Sequence, residues 1–172
     1  MSRAFLNLDA VPSGADVFVD ANIFVYHFFG ASRDCAAFLE RCALEDVHAV
    51  TGAHIVAEVL HRVLIAEARA KTQMGRKGSA VRYLEEHPAE LKKLPDHHVA
   101  AAAIEQMVGM VLPLTIDAVR ASQWARTKDG LLVNDSLTAA IMKAEGLGHL
   151  ASADVAFLRL EGLTVYRPMD FS

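Results

Sequence analysis

Cysteine is scarce in this chain, and from its sequence we expect neither a membrane span nor a secretory signal. The 172 residues include two cysteines, Cys35 and Cys42, seven positions apart in one helical pattern. That spacing separates them by about 10 Å along a helix, too far for an unstrained disulfide. No apolar stretch reaches the roughly 20 residues of a membrane span, and residues 1–16 lack a long apolar block. We therefore expect a cytoplasmic protein with two buried thiols.

A surplus of positive charge is also lacking. Lysine and arginine total 17 against 21 acidic residues, a formal net charge of −4, which predicts no general affinity for nucleic acids. A local basic patch is compatible with this sum, because an acidic metal site elsewhere in the chain would offset it. The length suits one domain that buries roughly 70% of its unfolded surface, and 53% of the residues are hydrophobic. We predict a single domain over residues 1–172.

Short apolar runs alternate with helical patterns along the chain. The apolar runs predict strands at residues 17–20, 48–51, 111–115, 148–152 and 163–166. Helical patterns occupy residues 22–29, 32–45, 53–71, 80–86, 96–110, 116–128, 134–145 and 155–160. Strands that alternate with helices favour a parallel sheet covered on both faces. We therefore predict a three-layer α/β/α sandwich with a central, mostly parallel sheet of four to five strands.

Acidic residues stand at the boundaries of several predicted elements. They are Asp20 at the end of the first strand, Glu58 in a long helix, Asp135 at the start of a later helix and Asp154 after the fourth strand. Ligands of parallel sheets bind beyond the carboxyl ends of the strands. A structural interpretation is also open, because an aspartate that caps a helix stabilises it by about 1 kcal/mol, and Glu58 lies on a polar helix stripe. Capping does not explain why an acid follows a strand closely at both Asp20 and Asp154.

Carboxylates that converge require something to balance their charge. Two of them about 4 Å apart repel by roughly 4 kcal/mol at an effective dielectric constant near 20. Such a cluster either takes up protons or binds a cation, and hard oxygen ligands suit Mg²⁺ or Mn²⁺. These ions activate water and stabilise the charge of an in-line phosphoryl displacement. Phosphodiester hydrolysis is therefore the leading chemical hypothesis.

Short motifs around these acids follow one another along the chain. They are Val17-Phe18-Val19-Asp20-Ala21-Asn22, the helical Glu58, Asn134-Asp135-Ser136 before an alanine-rich helix, and Ser152-Ala153-Asp154-Val155-Ala156-Phe157. In this order they resemble the motifs of PIN-domain nucleases, most of all the VapC-type ribonuclease toxins of prokaryotic toxin–antitoxin pairs. The resemblance implies a PIN-like fold and a metal-dependent endoribonuclease that leaves a 5′-phosphate and a 3′-hydroxyl. It also implies a homodimer and a small antitoxin partner that blocks the site.

The resemblance also implies a role for each matched residue. Asp20, Glu58, Asp135 and Asp154 would be the catalytic residues that hold Mg²⁺ or Mn²⁺ and position the attacking water. Asn22, Ser136 and Ser152 would fix these carboxylates by hydrogen bonds. The chain departs from the family pattern at Val155, where a polar or acidic group often lies, and in the long interruption over residues 75–96.

Basic residues are concentrated between positions 69 and 82, where no acid occurs: Arg69, Lys71, Arg76, Lys77 and Arg82. They form either a hydrated surface or a set of contacts with RNA phosphates, since neutralising the backbone supplies most non-specific affinity. His54 and His61 share a helix face with Glu58, but the spacing is not that of the H-E-x-x-H zinc motif, and a third strong ligand is missing. We interpret both as polar-face histidines, with either His54 or His61 near the acidic edge.

Two other functional classes remain open from the sequence. A phosphatase of the haloacid dehalogenase type also begins with an aspartate after its first strand, but its chemistry needs an acid at the position that Asn22 occupies. A non-catalytic RNA-binding or scaffold protein of the same fold would keep the sheet without using the acids. We therefore predict an Mg²⁺- or Mn²⁺-dependent endoribonuclease whose partners are RNA, a second copy of itself and an antitoxin.

Overall fold

The protein is built around a parallel sheet. A computed structural model describes residues 4–72 and 78–170, and over these residues six strands pair in the order β1-β6-β5-β2-β3-β4. The strands are β1 Leu6–Asn7, β2 Asp16–Val19, β3 His48–Gly52, β4 Met110–Leu112, β5 His149–Ala151 and β6 Thr164–Arg167. Each neighbouring pair is parallel. The predicted α/β/α sandwich with a mostly parallel sheet is confirmed.

Helices connect the strands, as parallel pairing requires. They are α1 Ala21–Phe28, α2 Arg33–Ala43, α3 Ala53–Lys71, α4 Ala80–Glu86, α5 Pro88–Leu91, α6 Asp96–Met107, α7 Ile116–Ala121, α8 Gln123–Asp129 and α9 Val133–Ala144. Two short 3-10 turns cover Leu8–Ala10 and Val155–Arg159. Within the described residues, no helix is both long and apolar enough to cross a membrane.

The sheet has one strand more than the sequence predicted. The additional strand, β1, pairs with β6 through Leu6 and Tyr166, and its two residues are too few to produce a recognisable pattern. The helix predicted over residues 116–128 is also divided, into α7 and α8. The hydroxyl of Ser122 donates a hydrogen bond to the Val119 carbonyl oxygen at 2.7 Å, and back-bonding of this kind commonly bends a helix.

The core is densest around β2, which lies between β5 and β3. Val17, Phe18 and Val19 are completely buried, because a central strand of a covered parallel sheet has no solvent-facing side. Cys35 and Cys42 are buried as free thiols. Burial raises the pKa of Cys35 to about 11 and that of Cys42 to about 12. The prediction of two buried, unpaired cysteines is confirmed.

A carboxylate from the far end of the chain holds the start of α2. The Asp170 carboxylate accepts hydrogen bonds from the Ser32 hydroxyl at 2.6 Å and the Arg33 amide at 2.6 Å. In return, the Met169 amide donates to the Asp34 carboxylate at 2.7 Å. These hydrogen bonds to the charged form lower the pKa of Asp170, with the Ser32 hydroxyl as the main cause. The clamp joins segments more than 130 positions apart in sequence.

We expect Asp170→Ala to lower the Tm by a few degrees, because the first amides of α2 lose an acceptor of favourable charge. The pKa of Asp170 is lower in the folded protein, so its contribution is present above the ordinary aspartate pKa and is lost as the pH falls through the folded value. Thermal unfolding at neutral and acidic pH measures this. Asp9→Ala, an exposed aspartate in a 3-10 turn, is the matched control, and equal losses in both variants would contradict the clamp.

Candidate active site

The register of the sheet brings two strand ends together. Val19, the last residue of β2, pairs with Ala151, the last residue of β5. The next residues, Asp20 and Ser152, therefore leave the sheet side by side. The Ser152 hydroxyl donates a hydrogen bond to the Asp20 carboxylate at 2.6 Å, and the Asp20 amide donates to the Ala151 carbonyl oxygen at 3.0 Å. The site begins at this edge because parallel strands end at the same side.

Three donors fix the Asp20 carboxylate, which is 7% exposed. Besides Ser152, the Ala21 amide donates to Oδ1 at 2.8 Å and the Asn22 side-chain amide donates to Oδ2 at 2.7 Å. The Asn22 side-chain oxygen accepts from the Ala153 amide at 3.1 Å. Asn22 thus joins the segment after β2 to the segment after β5. Asn22 and Ser152 thus both donate to the Asp20 carboxylate, and their support of a metal site stays a prediction.

The capping interpretation holds for two of the three aspartates. Asp20 caps α1 through the Ala21 amide, and Asp154 caps the last 3-10 turn through the Ala156 amide at 2.8 Å. Asp135 is not a cap, since α9 begins two residues earlier and the preceding Leu132 forms no side-chain cap. Asp135 is therefore a half-buried carboxylate in the first turn of α9 that does not cap the helix.

Glu58 reaches the same region from α3. Its Oε2 accepts a hydrogen bond from the side-chain amide of Asn134 at 3.0 Å, and its Oε1 lies 3.6 Å from Arg62. Asn134 belongs to the Asn134-Asp135-Ser136 motif, but the sequence predicted no role for its side chain. Its position directly before Asp135 could have indicated a site residue, but no pattern in the sequence shows that its side chain faces α3. Asn134 links the Asp135 turn to Glu58.

Ser136 differs from its predicted role. Its hydroxyl donates to the Val133 carbonyl oxygen at 2.7 Å and accepts from the Arg126 guanidinium at 2.9 Å. Among the described residues it forms no hydrogen bond with a carboxylate. The sequence places Ser136 beside Asp135, but the helix turns its side chain into the fully buried interior. Ser136 and Arg126 hold the first turn of α9, and so act on Asp135 through the backbone.

Burial and mutual repulsion perturb two of the acids strongly. Burial raises the pKa of Asp20 to about 6 against the opposing hydrogen bonds from Ser152 and Ala21, and repulsion from Asp135 and Glu58 adds to the increase. The pKa of Asp135 is also raised to about 6, first by burial and then by the charges of Asp154 and Glu58. The structure therefore brings all four predicted acids into one electrostatic neighbourhood. Such paired perturbation is typical of functional sites.

The donor set suits a hard divalent cation. Over residues 4–72 and 78–170, no group of three or more histidine, cysteine, aspartate or glutamate side chains is arranged to hold a metal ion. Mg²⁺ does not need one, because it binds through one or two carboxylates and keeps several waters. The side chains around the site offer carboxylate oxygens, and a cation would relieve the repulsion that raises the pKa of Asp20 and Asp135. The residues fit Mg²⁺ or Mn²⁺ in chemistry and charge.

The nearby histidine has a structural partner. His54 Nε2 lies 3.0 Å from the Thr138 hydroxyl, one helical turn after Asp135, and burial lowers the pKa of His54. This places His54 near the acidic edge, as expected. His54 is half-buried between α3 and α9, whereas His61 is exposed.

The predicted RNA-binding cations fall into different environments. Lys71 pairs with Glu67 at 2.8 Å and with Asp96 at 3.1 Å, while Arg82 pairs with Glu86 at 2.9 Å. Arg69 is exposed. Arg76 and Lys77 lie outside the described residues. A role of these five residues in RNA binding stays a prediction.

Known proteins share this fold. A model of the PIN domain family matches residues 17–163. VapBC2 from Rickettsia felis, solved with a DNA fragment from its promoter, has a TM-score of 0.58 at 16% identity, covering 88% of this chain and 98% of that chain. FitAcB from Neisseria gonorrhoeae has a TM-score of 0.55 at 18% identity, with coverages of 87% and 96%.

A third similar structure is VapC20 from Mycobacterium tuberculosis, described as a Sarcin-Ricin loop cleaving toxin. Its TM-score is 0.50 at 17% identity, covering 78% of this chain and 86% of that chain. No curated protein sequence matches this chain significantly. At these identities the solved structures show a shared fold, and the family model extends over most of the sequence. The chain belongs to the PIN-domain family.

Proposed function

We propose that this protein is a metal-dependent endoribonuclease that hydrolyses RNA phosphodiester bonds. The observation that carries the proposal is the joint rise in the pKa of Asp20 and Asp135, caused by burial and by repulsion among four carboxylates at the sheet edge. Membership of the PIN-domain family supports it. So does the fold shared with VapC20, a toxin that cleaves the Sarcin-Ricin loop.

Asp20, Glu58, Asp135 and Asp154 would hold one or two Mg²⁺ or Mn²⁺ ions. When bound, such an ion lowers the pKa of a water molecule and stabilises the charge of the phosphate under attack. The chain's own residues prepare this site. Ser152 and Asn22 hold the Asp20 carboxylate by hydrogen bonds of 2.6 and 2.7 Å, which limits its motion. Asn134 holds the Glu58 carboxylate in the same way at 3.0 Å.

The partners follow from the same comparison. The VapBC2 and FitAcB structures support an antitoxin partner, a small protein whose inserted segment would compete with RNA at the acidic site. We include in the proposal a homodimer, a single nuclease domain over residues 1–172 and a cytoplasmic location. The free, buried thiols Cys35 and Cys42 suit a reducing compartment.

Cleavage of assorted RNAs with Mg²⁺ and with EDTA tests the proposal. We expect Mg²⁺-dependent cleavage that Asp135→Asn lowers by at least about 100-fold, since losing even an outer partner of a metal site costs 10–100-fold. Asp117→Asn, an exposed aspartate on α7 that pairs with Arg120, is the matched control and should cleave normally. Cleavage that is equal in EDTA, or equal in both variants, would contradict the proposal.

Mn²⁺ titration and a search for a covalent aspartyl phosphate separate the two alternative functions. A non-catalytic scaffold would bind Mn²⁺ no better than its Asp20→Asn variant and would leave RNA intact. A phosphatase of the haloacid dehalogenase type would form an aspartyl phosphate at Asp20. Both polar groups of the Asn22 amide are engaged by Asp20, Ser152 and Ala153, and an amide cannot protonate a leaving group.

A further inference from the structure

A groove runs along α3 next to the acidic site. It has a volume of about 600 Å³ and is lined by Phe29, His61, Arg62, Ile65, Ala66 and Arg69. We propose that this α3 groove holds single-stranded RNA whose backbone leads into the acidic site. The inference rests on the proposed ribonuclease function and adds to it the path of the substrate.

One end of the groove lies beside Glu58. Arg62 follows Glu58 by one helical turn, and its Nη1 lies 3.6 Å from Glu58 Oε1. Arg69 lies two further turns along α3, about 10 Å from Arg62 by helix rise. An RNA strand laid along this helix would therefore contact the two arginines at different phosphates before it reached the carboxylates.

The charge of the groove suits a polyanion rather than a protein segment. Among the described residues, no carboxylate lines it and none pairs with Arg69. Arg62 forms an ion pair with Glu58 at 3.6 Å, but this distance exceeds hydrogen-bond length, so the guanidinium N–H groups of Arg62 remain available as donors. These cations lie in a chain whose net charge is −4. Arginines whose N–H groups are free to donate to phosphate oxygens are what phosphate binding requires.

The adjoining groove shows the contrast. It has a volume of about 400 Å³, shares Phe29 and Ala66 with the α3 groove, and is also lined by Glu67, Lys71 and Asp96. There Lys71 is neutralised by Glu67 and Asp96. The available positive charge is therefore confined to the half of this surface that is next to Glu58.

An exposed aromatic ring completes the groove. Phe29, which follows the last residue of α1, is 49% exposed, and its amide is held by the Val25 carbonyl oxygen at 3.0 Å. Single-stranded nucleic acids bind where a cationic groove adjoins aromatic rings on which bases stack. Phe29 is in position to stack on a base while Arg62 and Arg69 contact the backbone.

RNA binding in the Asp20→Asn background tests the path without cleavage. Fluorescence anisotropy would follow a labelled, hairpin-free RNA oligonucleotide of mixed sequence over a range of KCl concentrations at fixed Mg²⁺. Arg62→Gln with Arg69→Gln should weaken binding about tenfold or more and reduce the slope of log affinity against log salt by about 1.4, or 0.7 for each phosphate contact. Arg120→Gln, on α7 and outside the groove, should change neither quantity.

Phe29 has its own pair of variants. Phe29→Leu should weaken binding about tenfold, the loss expected for one stacked base, without changing the salt slope. Phe29→Tyr should retain wild-type affinity. Because Arg62→Lys with Arg69→Lys keeps the charge, this variant should keep the salt slope, and it controls for the folding of the glutamine variant.

Wild-type affinity and slope in the glutamine and leucine variants would overturn the proposal, and a protein segment would then be the remaining occupant. Binding distinguishes this failure from failure of the proposed function. If the wild-type protein does not cleave RNA with Mg²⁺, the ribonuclease proposal fails whatever the groove binds. If it cleaves while these variants bind normally, only the path is wrong.

Discussion

Replacing Asp20 by asparagine is expected to lower metal-dependent RNA cleavage by at least about 100-fold. Outer partners of a metal site already account for 10–100-fold, and Asp20 is the most buried of the four acids. Asparagine keeps the size of the side chain and an oxygen that can accept from the Ala21 amide, so the strand end should stay in place. Initial rates of RNA cleavage at saturating Mg²⁺ measure the effect.

The control for this variant lies on the same strand. Asp16→Asn changes an exposed aspartate at the opposite end of β2, where it lies 3.3 Å from His48. We expect this variant to cleave RNA at the wild-type rate. If Asp20→Asn unfolds the protein yet retains cleavage in its folded fraction, Asp20 is a structural residue and the metal proposal is wrong.

The same substitution is expected to make the metal-free protein more stable at neutral pH. The pKa of Asp20 is about 6 in the folded protein, against an ordinary value of 3.8. Between about pH 4 and pH 6, the folded state keeps a proton on Asp20 that the unfolded chain has released. The stability of the wild type therefore falls as the pH rises through this range. The pKa difference corresponds to about 3 kcal/mol at pH 7, an upper limit because asparagine would face the Asn22 amide donor.

Denaturant unfolding in EDTA at pH 4 and pH 7 measures this difference. The stability gained by Asp20→Asn should be small at pH 4 and largest at pH 7. The variant must be compared with the wild type at each pH. Burial lowers the pKa of His27 and His54, so these histidines stabilise both proteins increasingly as the pH rises over part of the same range. A gain that does not change with pH would contradict a raised pKa at Asp20.

Divalent cations should restore the stability that the metal-free wild type loses at neutral pH. A ligand that binds only the folded protein adds about 2.7 kcal/mol at 100 times its Kd, so Mn²⁺ should stabilise the wild type at pH 7. Its effect should be small at pH 4, where Asp20 and Asp135 are protonated. Asp20→Asn should respond weakly to Mn²⁺ at both pH values. An equal response of the variant and the wild type would place the cation elsewhere.

The strand that ends just before Asp20 shows how much of the fold the local sequence pattern predicts. Three consecutive apolar residues, Val17 to Val19, predict a strand buried on both faces, and all three are fully buried. Parallel pairing then places Asp20 and Ser152 at the same edge of the sheet, because parallel strands end on one side. That their two strands are neighbours is decided by the tertiary structure. The two-residue β1 and the break at Ser122 were not predicted, because each depends on contacts that leave no hydrophobic periodicity in the sequence.

The partners of the site residues were less predictable than the residues. Ser136 and Asn134 flank the same aspartate, yet Ser136 faces Arg126 in the interior and Asn134 faces Glu58 across the site. Likewise, a count of basic residues favoured the run from Arg69 to Arg82. In the folded chain Lys71 pairs with Glu67 and Arg82 pairs with Glu86, which a count of charges along the sequence does not report.

Alternating apolar and helical segments, and acids that follow strands, are properties of neighbouring residues, so the amino-acid order alone was sufficient for the parallel α/β/α architecture and its acidic edge. Only the tertiary structure decides which side chains contact one another at this edge. The contacts of Glu58 with Asn134 and of Asp20 with Ser152 join positions 76 and 132 residues apart. Such proximity depends on the order of the strands and on the packing of α3 against its neighbours, which no local segment encodes.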